Sequence, residues 1–405
     1  MSGAPTDVGV IVVGAGLVGL ATARALQVRL GRGDVLVVDK EDGPARHQSG
    51  RNSGVAHSGL YYAPGSSKAA LAVAGRAALQ RYCAERSLPY RTCGKVVVAV
   101  DDTQLPALAE LERRGRVNGV RLERLDPAGL RRIEPHARGV AALHVADTGV
   151  VDFPAVARSL VAELRSSGGE LRGGLELARA TPVDGALEVE FTDGSRLRAG
   201  ALVNCAGLQS DRVADRCGAR PSVRIVPFRG DYLDVTAPDD ELVRALIYPV
   251  PDPRWPFLGV HLTRSVDGHV HAGPTAVLAL GRESYDRAVD RHDTVTLLRD
   301  RALWRLGLRY WRTGLSELWR ARSRSTVLAD LRRLVPELDG SSLRQARPGI
   351  RAQAISADGR LVDDFAFATS PRCVHVLNAP SPAATASLAI GEQVAEQAAR
   401  LLEAP

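Results

Sequence analysis

Val8 to Val13 is a continuous apolar run with a β-branched majority, the pattern of a strand covered on both faces. It gives way at Leu17 to an alanine- and leucine-rich helical period that lasts to about Leu30. Gly31-Arg32-Gly33-Asp34 then makes a turn, and Val35 to Val38 is a second apolar strand that ends at Asp39. The junction of the first strand and the helix reads Gly14-Ala15-Gly16-Leu17-Val18-Gly19, and Asp39 stands 20 residues beyond Gly19. Strand, glycine motif, helix, strand and acid in that order predict a dinucleotide-binding βαβ unit. Gly14 permits the tight turn, Gly16 lets the backbone approach a pyrophosphate, and Gly19 lets the helix pack close to the strand. The helix's free N–H groups and positive dipole end then face the phosphates, and Asp39 takes the ribose hydroxyls. The motif requires an ADP-containing dinucleotide and leaves FAD and NAD both open.

Further along, Ser67 to Glu85 reads as an alanine-rich helix, Cys93 to Val100 as a strand and Leu105 to Arg114 as an amphipathic helix. Leu187 to Phe191 and Leu197 to Val203 pair about the turn Thr192-Asp193-Gly194-Ser195. The second strand ends in Asn204-Cys205-Ala206-Gly207, small residues where a strand meets a cofactor closely. Between Pro221 and Pro274 short strand-like runs predict a separate antiparallel sheet carrying the polar residues Arg229, Tyr248, His261 and His271. Val374 to Leu377 is a last strand, and the turn through Ser381 and Pro382 leads into a helix from Ala383 to Leu402. That second helix N-terminus could stabilise negative charge on a reduced flavin ring.

One stretch fits no apolar period. Arg46 to Tyr62 reads RHQSGRNSGVAHSGLYY, dense in donors and acceptors and punctuated by glycine. Such a segment suits a loop that wraps a polar ligand. It begins seven residues after Asp39. Ser49, Asn52 and Ser53 are therefore placed for the pyrophosphate and flavin side, and His57 to Tyr62 for a substrate beyond.

Composition bounds the rest. The chain of 405 residues is long enough for two domains, and 45% hydrophobic with 24% charged residues is the balance of a folded protein. The net charge of +7 is carried almost wholly by arginine and fits a small anionic substrate or an anionic membrane surface. Only 4% of residues are aromatic and no nucleic-acid module is visible, so nucleic acid is not an expected partner. Five scattered cysteines without a Cys-x-x-Cys pair predict neither a disulfide framework nor a metal site. The N-terminus lacks a basic leader and no run is long enough to span a membrane, which predicts a cytoplasmic protein. In the basic, aromatic segment Ala302 to Arg324, Trp304, Leu308, Trp311 and Leu315 fall on one helical face. That face packs on the protein's own core or, in the rival reading, lies peripherally on the inner membrane surface.

The chain resembles the FAD-dependent oxidoreductases of the D-amino-acid-oxidase-like superfamily, and among them the L-2-hydroxyglutarate oxidases and dehydrogenases. The resemblance is carried by HQSGRNSGVAHSGLYYAPGSSKA (His47 to Ala69), CGKVVVA (Cys93 to Ala99), PFRGDYL (Pro227 to Leu233) and IYPVPDP (Ile247 to Pro253). It continues through PFLGVHLTR (Pro256 to Arg264), PGIRAQA (Pro348 to Ala354), DGRLVDDF (Asp358 to Phe365) and NAPSPAAT (Asn378 to Thr385).

The resemblance implies an α/β (α+β) fold in which a Rossmann-like FAD-binding domain, assembled from 1–88, 152–218 and 348–405, carries an antiparallel-sheet substrate domain, 89–151 and 219–347. It implies FAD as cofactor, held by Gly14, Gly16, Leu17, Val18, Gly19, Asp39, Lys40, Ser49, Asn52, Ser53, Val183, Ala206, Gly207, Pro382 and Ala383. It implies oxidation of L-2-hydroxyglutarate, or a close anionic 2-hydroxy acid, by hydride transfer from C2 to flavin N5, with oxygen or a quinone as electron acceptor. His57, with His261 second, is the expected base, because imidazole titrates near neutrality. Arg229, Arg351, Tyr61, Tyr62 and Ser381 are expected at the substrate, the arginines because they pair bidentately with carboxylates. Asp39 departs from the glutamate common at the ribose position. The rival activities are an amine or amino-acid oxidase on the same fold and, more remotely, an NAD(P)-dependent dehydrogenase.

Overall fold

In the computed structural model, residues 7–31, 33–252 and 258–403 are described, and for residues 7, 312–322 and 403 the backbone alone. Arg32 of the first turn, Pro253, Pro256 and Phe257 of two quoted segments, and the Leu315 side chain fall outside that description.

Strand β1 (Asp7–Val13) lies between β2 (Val35–Val38) and Arg196–Asn204 and is parallel to both. Its alternation divides two cores. Val10 and Val12 belong to one cluster with helix α1 (Leu17–Leu30), α2 (Ser67–Glu85) and the helices Phe153–Ser166 and Ala383–Glu403. Ile11 and Val13 belong to the other, with the hairpin Leu177–Phe191 and the short helix Ser210–Arg216. A strand with apolar side chains on both faces needs a layer on each side, which is why its sequence shows a run and not an alternation. Arg196–Asn204 is shared along its length. Its first half pairs with the hairpin, and Leu202 to Asn204 pair in parallel with Cys373–Asn378.

Over this sheet stands a second one. Its order is Leu343–Gln345, Leu233–Val235, Val270–Gly273, His261–Arg264, Leu246–Pro249, Lys95–Ala99, Ala141–Val145 and Glu123–Leu125. Every junction is antiparallel except Leu246–Pro249 with Lys95–Ala99, so the sheet expected beyond Pro221 is extended by strands from much earlier in the chain. The paired strands Val223–Gly230 and Gly349–Ser356 run beside it as a long antiparallel ribbon.

The helix Arg301–Arg322 carries non-helical dihedrals at Tyr310. Its inward face is Ala302 and Leu306, not the residues singled out by period: Trp304 is 58% exposed, Leu308 78% and Trp311 55%. The apolar stripe therefore does not pack on the core. The buried positions lie two residues away from the stripe, and they pack on Val226, Leu297 and Ile355. Among the described residues no helix is long and apolar enough to cross a membrane.

Helix Ala383–Glu403 meets α1 backbone to backbone. A Cβ on Gly391 would stand 2.6 Å from the Ala21 carbonyl carbon. Gly391→Val is expected to push the helices apart and lower stability by about 1–3 kcal/mol, seen as a lower thermal midpoint of the flavin-loaded protein.

Candidate active site

A cavity of about 1270 Å³ runs from the glycine loop to the underside of the second sheet. At one end Gly14 has φ +109°, and a Cβ there would lie 2.5 Å from the Cys205 carbonyl oxygen. Gly19 does not line the cavity; its Cβ would lie 2.0 Å from the Gly14 carbonyl oxygen, so its role is the close packing of helix on strand. Asp39 lines the cavity and also fixes the loop, accepting from the Ala15 N–H at 2.6 Å and the Glu41 N–H at 2.9 Å. Gly16, Leu17 and Val18 form the wall beside it. Gly16 at the N-cap has no side chain of its own to cap α1.

The loop after β2 closes over this end. The Ser49 hydroxyl accepts from the Leu17 N–H at 2.9 Å, and a Cβ on Gly16 would approach it to 3.1 Å. Ser49, Asn52 and Ser53 all line the cavity, yet the Asn52 amide turns back on Gln48 and Ser49 carbonyls and accepts from the Gly54 N–H, so it shapes the loop. Ala206 and Gly207 form the opposite wall, where a Cβ on Gly207 would meet Gln48 Oε1 at 3.0 Å. Lys40 is bridged to Glu283 at 2.5 Å and Glu41 at 3.1 Å. Glu283 also accepts from Gln209 at 2.8 Å, and this cross-chain latch had no local signal in the sequence.

Val183 does not reach the cavity. It pairs with Ala186 at the tip of the hairpin and is 43% exposed. The cavity instead meets Leu175, Glu176 and Leu177, because the start of that strand, not its end, lies beside β2 and the glycine loop. The narrow, glycine-floored cradle at the amino end of a helix fits a dinucleotide's pyrophosphate and adenosine.

The other end is built by three segments. β3 (Val55–Ala56) leads to His57, whose backbone N–H donates to Thr385 Oγ1 at 3.1 Å, so the loop is pinned to the helix Ala383–Glu403. Pro380, Ser381, Pro382 and Ala383 line the cavity at that helix's amino end. From above come Tyr248 and His261, whose rings stack at 3.9 Å, and from the ribbon comes Arg351, bonded to the Tyr232 phenol. Tyr61, Tyr62 and Lys68 complete the wall; Ser381 bonds the Tyr62 phenol, and Lys68 lies over the Tyr62 ring and is bridged to Asp363 at 2.8 Å.

Arg229 is not part of it. Pairing sets Arg351 opposite Phe228 and Arg229 opposite Ile350, so the two arginines point to opposite faces of the ribbon. Arg229 is buried on the far face in an ion pair with Asp231 at 2.9 Å. A strand's period of two, applied to the register, is what the sequence could not supply. Lys68, Lys95 and Tyr232 were missed, although all three lie in or beside segments that carry the family resemblance.

Burial, with the positive charges of Lys95, His261, Arg351 and Lys68, pushes the His57 imidazole down to about 3. Burial, reinforced by Arg351 and Lys95, pushes His261 down to about 4, although its bond to the Gly259 carbonyl at 2.9 Å works the other way. Both rings are neutral near pH 7. In His261 the Nδ1–H is donated to Gly259, which leaves Nε2 as an acceptor. Buried tyrosines 61, 62, 232 and 248 are all held in the phenol form, chiefly by burial. Tyr61 Oη and His57 Nδ1 are buried without a partner, groups that a bound polar ligand would satisfy.

A family model described as FAD dependent oxidoreductase matches residues 9–397. An L-2-hydroxyglutarate dehydrogenase of Indibacter alkaliphilus is 42% identical, with 97% of this chain and 99% of the relative covered. The mitochondrial L-2-hydroxyglutarate dehydrogenase of Nematostella vectensis is 40% identical over 96% of this chain and 90% of its own. Among solved structures, the FAD-bound L-α-glycerophosphate oxidase of Mycoplasma pneumoniae aligns with a TM-score of 0.78 at 20% identity, over 98% of this chain and 95% of that one. Glycine oxidase from Geobacillus kaustophilus aligns with a TM-score of 0.73 at 20% identity, over 98% and 95% of the two chains. These two structures share the fold.

The lowered histidines tie stability to pH. An unfolded histidine takes a proton below about 6.5, while His57 and His261 in the fold stay neutral to about 3 and about 4. The unfolded chain thus binds more protons in that window, so the part of stability tied to these two histidines is full above about pH 6.5 and is lost as pH drops toward 4. The thermal midpoint of the flavin-loaded protein is expected to fall over that range, and less steeply in His57→Gln. Parallel curves for the two proteins would contradict it.

Proposed function

The chain belongs to the family of FAD-dependent oxidoreductases of the D-amino-acid-oxidase type, and from that premise we propose that it oxidises L-2-hydroxyglutarate, or a close anionic 2-hydroxy acid, to the 2-oxo acid. The observation that carries the reading is the meeting of two neutral imidazoles with a surplus of cations at one end of the cavity. Arg351, Lys68 and Lys95 gather there, and the carboxylate paired among them is Asp363, whose side chain is 91% exposed. A dianionic substrate answers that surplus, and a neutral imidazole can take a hydroxyl proton. The names of the relatives at about 40% identity point to the same substrate.

In this reading Arg351 pairs with the carboxylate next to the carbinol carbon, and Lys68 exchanges its solvent-exposed partner for the distal carboxylate. Tyr61, Tyr62 and Ser381 hold the oxygens by hydrogen bonds. His57 accepts the hydroxyl proton: it sits on the loop that leaves the cofactor cradle and is anchored through Thr385. His261 is the second candidate, favoured by the bond to Gly259 that keeps Nε2 free. FAD, when bound, supplies the two-electron acceptor for the hydrogen that leaves carbon. The stacked Tyr248 and His261 rings and the adjoining loop exclude water from the reacting end.

The electron acceptor that follows is oxygen or a quinone. A quinone would reside in a membrane, and the exposed Trp304, Leu308 and Trp311, beside exposed Arg301, Arg305 and Arg309, fit peripheral contact with an anionic lipid surface. Sedimentation with vesicles containing phosphatidylglycerol, weakened by salt and by Trp304→Ser with Trp311→Ser, is the expected result. Equal recovery with neutral vesicles would count against it.

Anaerobic addition of L-2-hydroxyglutarate is expected to bleach the flavin, while D-2-hydroxyglutarate, glutamate and sarcosine leave it oxidised. Bleaching by glutamate or sarcosine instead would favour the amine-oxidase reading. His57→Gln should slow flavin reduction by roughly 10²–10⁴-fold with FAD retained. Normal reduction at all pH values would transfer the role to His261. Arg351→Met should weaken substrate binding by about tenfold to a hundredfold, the loss of a hydrogen bond to a charged group.

A further inference from the structure

The chain has three lysines, Lys40, Lys68 and Lys95. Lys40 is bridged to Glu283 and Glu41, and Lys68 to Asp363. Lys95 has no carboxylate and no hydrogen-bond partner among the described residues, though it is only 2% exposed. It stands in the strand Lys95–Ala99, beside an apolar cluster that includes Val97 and Leu246. Its ammonium meets two aromatic faces, with Nζ 4.3 Å from the Tyr61 ring centre and 5.1 Å from that of Tyr248. A buried cation without a counter-ion is costly, and a purely structural strand would place an apolar residue there. Both rings line the cavity, so Lys95 lies about one ring away from any ligand held there. Tyr248 stacks on His261, and Tyr61 lies on the loop of His57, so both candidate bases are reached through the same pair of rings.

We propose that Lys95 is a positioning residue whose charge answers the ligand: an anion held on the cavity side of Tyr61 and Tyr248 draws a proton onto Lys95 Nζ, and the ammonium then clamps both rings against it. The step is a protonation alone, an amine and a solvent proton giving an ammonium. The identity of the anion as a dicarboxylate rests on the function proposed above. The placement of Lys95 does not. Burial by itself brings Lys95 down to about 7, so both its forms lie within reach near neutral pH. The groups that face it are Tyr61 and Tyr248, with His57 and His261 beyond them; on the adjoining strand its register partner is Val145, and His144, opposite Val96, turns to the other face. None is a carboxylate. The carboxylates of a ligand beyond the two rings favour the proton on Lys95 against that burial.

Three lysines make the test direct. In flavin-loaded protein labelled with ¹³C at lysine Cε, the resonance lost in Lys95→Arg belongs to Lys95. Its midpoint is expected near neutral pH, and 2-oxoglutarate should move it upward by roughly one unit or more. A ligand-free midpoint above about 9 overturns the proposal, as does a midpoint unmoved by 2-oxoglutarate that perturbs the flavin spectrum. Affinity for 2-oxoglutarate, read from the flavin spectrum, should fall by about tenfold between pH 6 and 9 in the wild type. It should be strong and flat with pH in Lys95→Arg, and weak and flat in Lys95→Met. A merely structural lysine would leave the same pH slope in all three. If 2-oxoglutarate moves neither the wild-type flavin spectrum nor any lysine signal, the dicarboxylate reading falls. The ligand-free midpoint of Lys95 then still decides its own case, near neutral supporting it and above about 9 overturning it. Should Lys95→Met fail to fold, the wild-type and Lys95→Arg titrations suffice.

Discussion

The structure depends on one close approach of backbones. At the end of β1 the chain turns so tightly that Gly14 faces the Cys205 carbonyl with no room for a side chain, and Gly19 rests on the Gly14 carbonyl oxygen. This sets α1 directly over the sheet and brings its amino end to the cavity wall. It also brings Ala383–Glu403 within reach, since that helix lies on α1 at Gly391 and its own amino end then opens on the same cavity. Two helix amino ends, each the positive end of its dipole, face one space. An anionic, extended cofactor is the ligand such a geometry favours.

From that cradle the loop His47 to Tyr62 carries the chain to the reacting end. Its polar residues divide their work by position. Ser49 and Asn52 hold backbone, His57 is pinned to Thr385, and Tyr61 and Tyr62 offer ring faces to the two buried lysines. The density of polar side chains that marks the segment in the sequence is spent partly on shaping the loop. The remainder is left for ligands.

Electrostatics separates the two ends. At the end near the glycine loop Lys40 is held between two carboxylates, Glu283 and Glu41. At the substrate end cations exceed carboxylates, and the imidazoles are held neutral by burial and by those cations. A cavity with carboxylates at one end and a surplus of cations at the other orients an anionic ligand without a moving part.

What the sequence determined by itself follows from local periods and local chemistry. The run from Val8, the glycine spacing and Asp39 specify a βαβ cradle, because each constraint acts within a few residues along the chain. Ordered segments from His47 to Thr385 are distinctive enough to mark the family. What tertiary structure decided involves register and long-range approach. Arg229 and Arg351 look alike in sequence, and only the pairing of two strands about 120 residues apart turns one into the cavity and buries the other on the far face. Val183 lies in the right strand but at its wrong end, and Trp304, Leu308 and Trp311 form the right stripe on a helix rotated to solvent. Lys95 reads as one polar residue at the head of an apolar strand. Its isolation between Tyr61 and Tyr248 exists only once Leu246–Pro249 pairs with Lys95–Ala99 and the loop from β3 folds beneath them, because a charge has no neighbours until the chain closes around it.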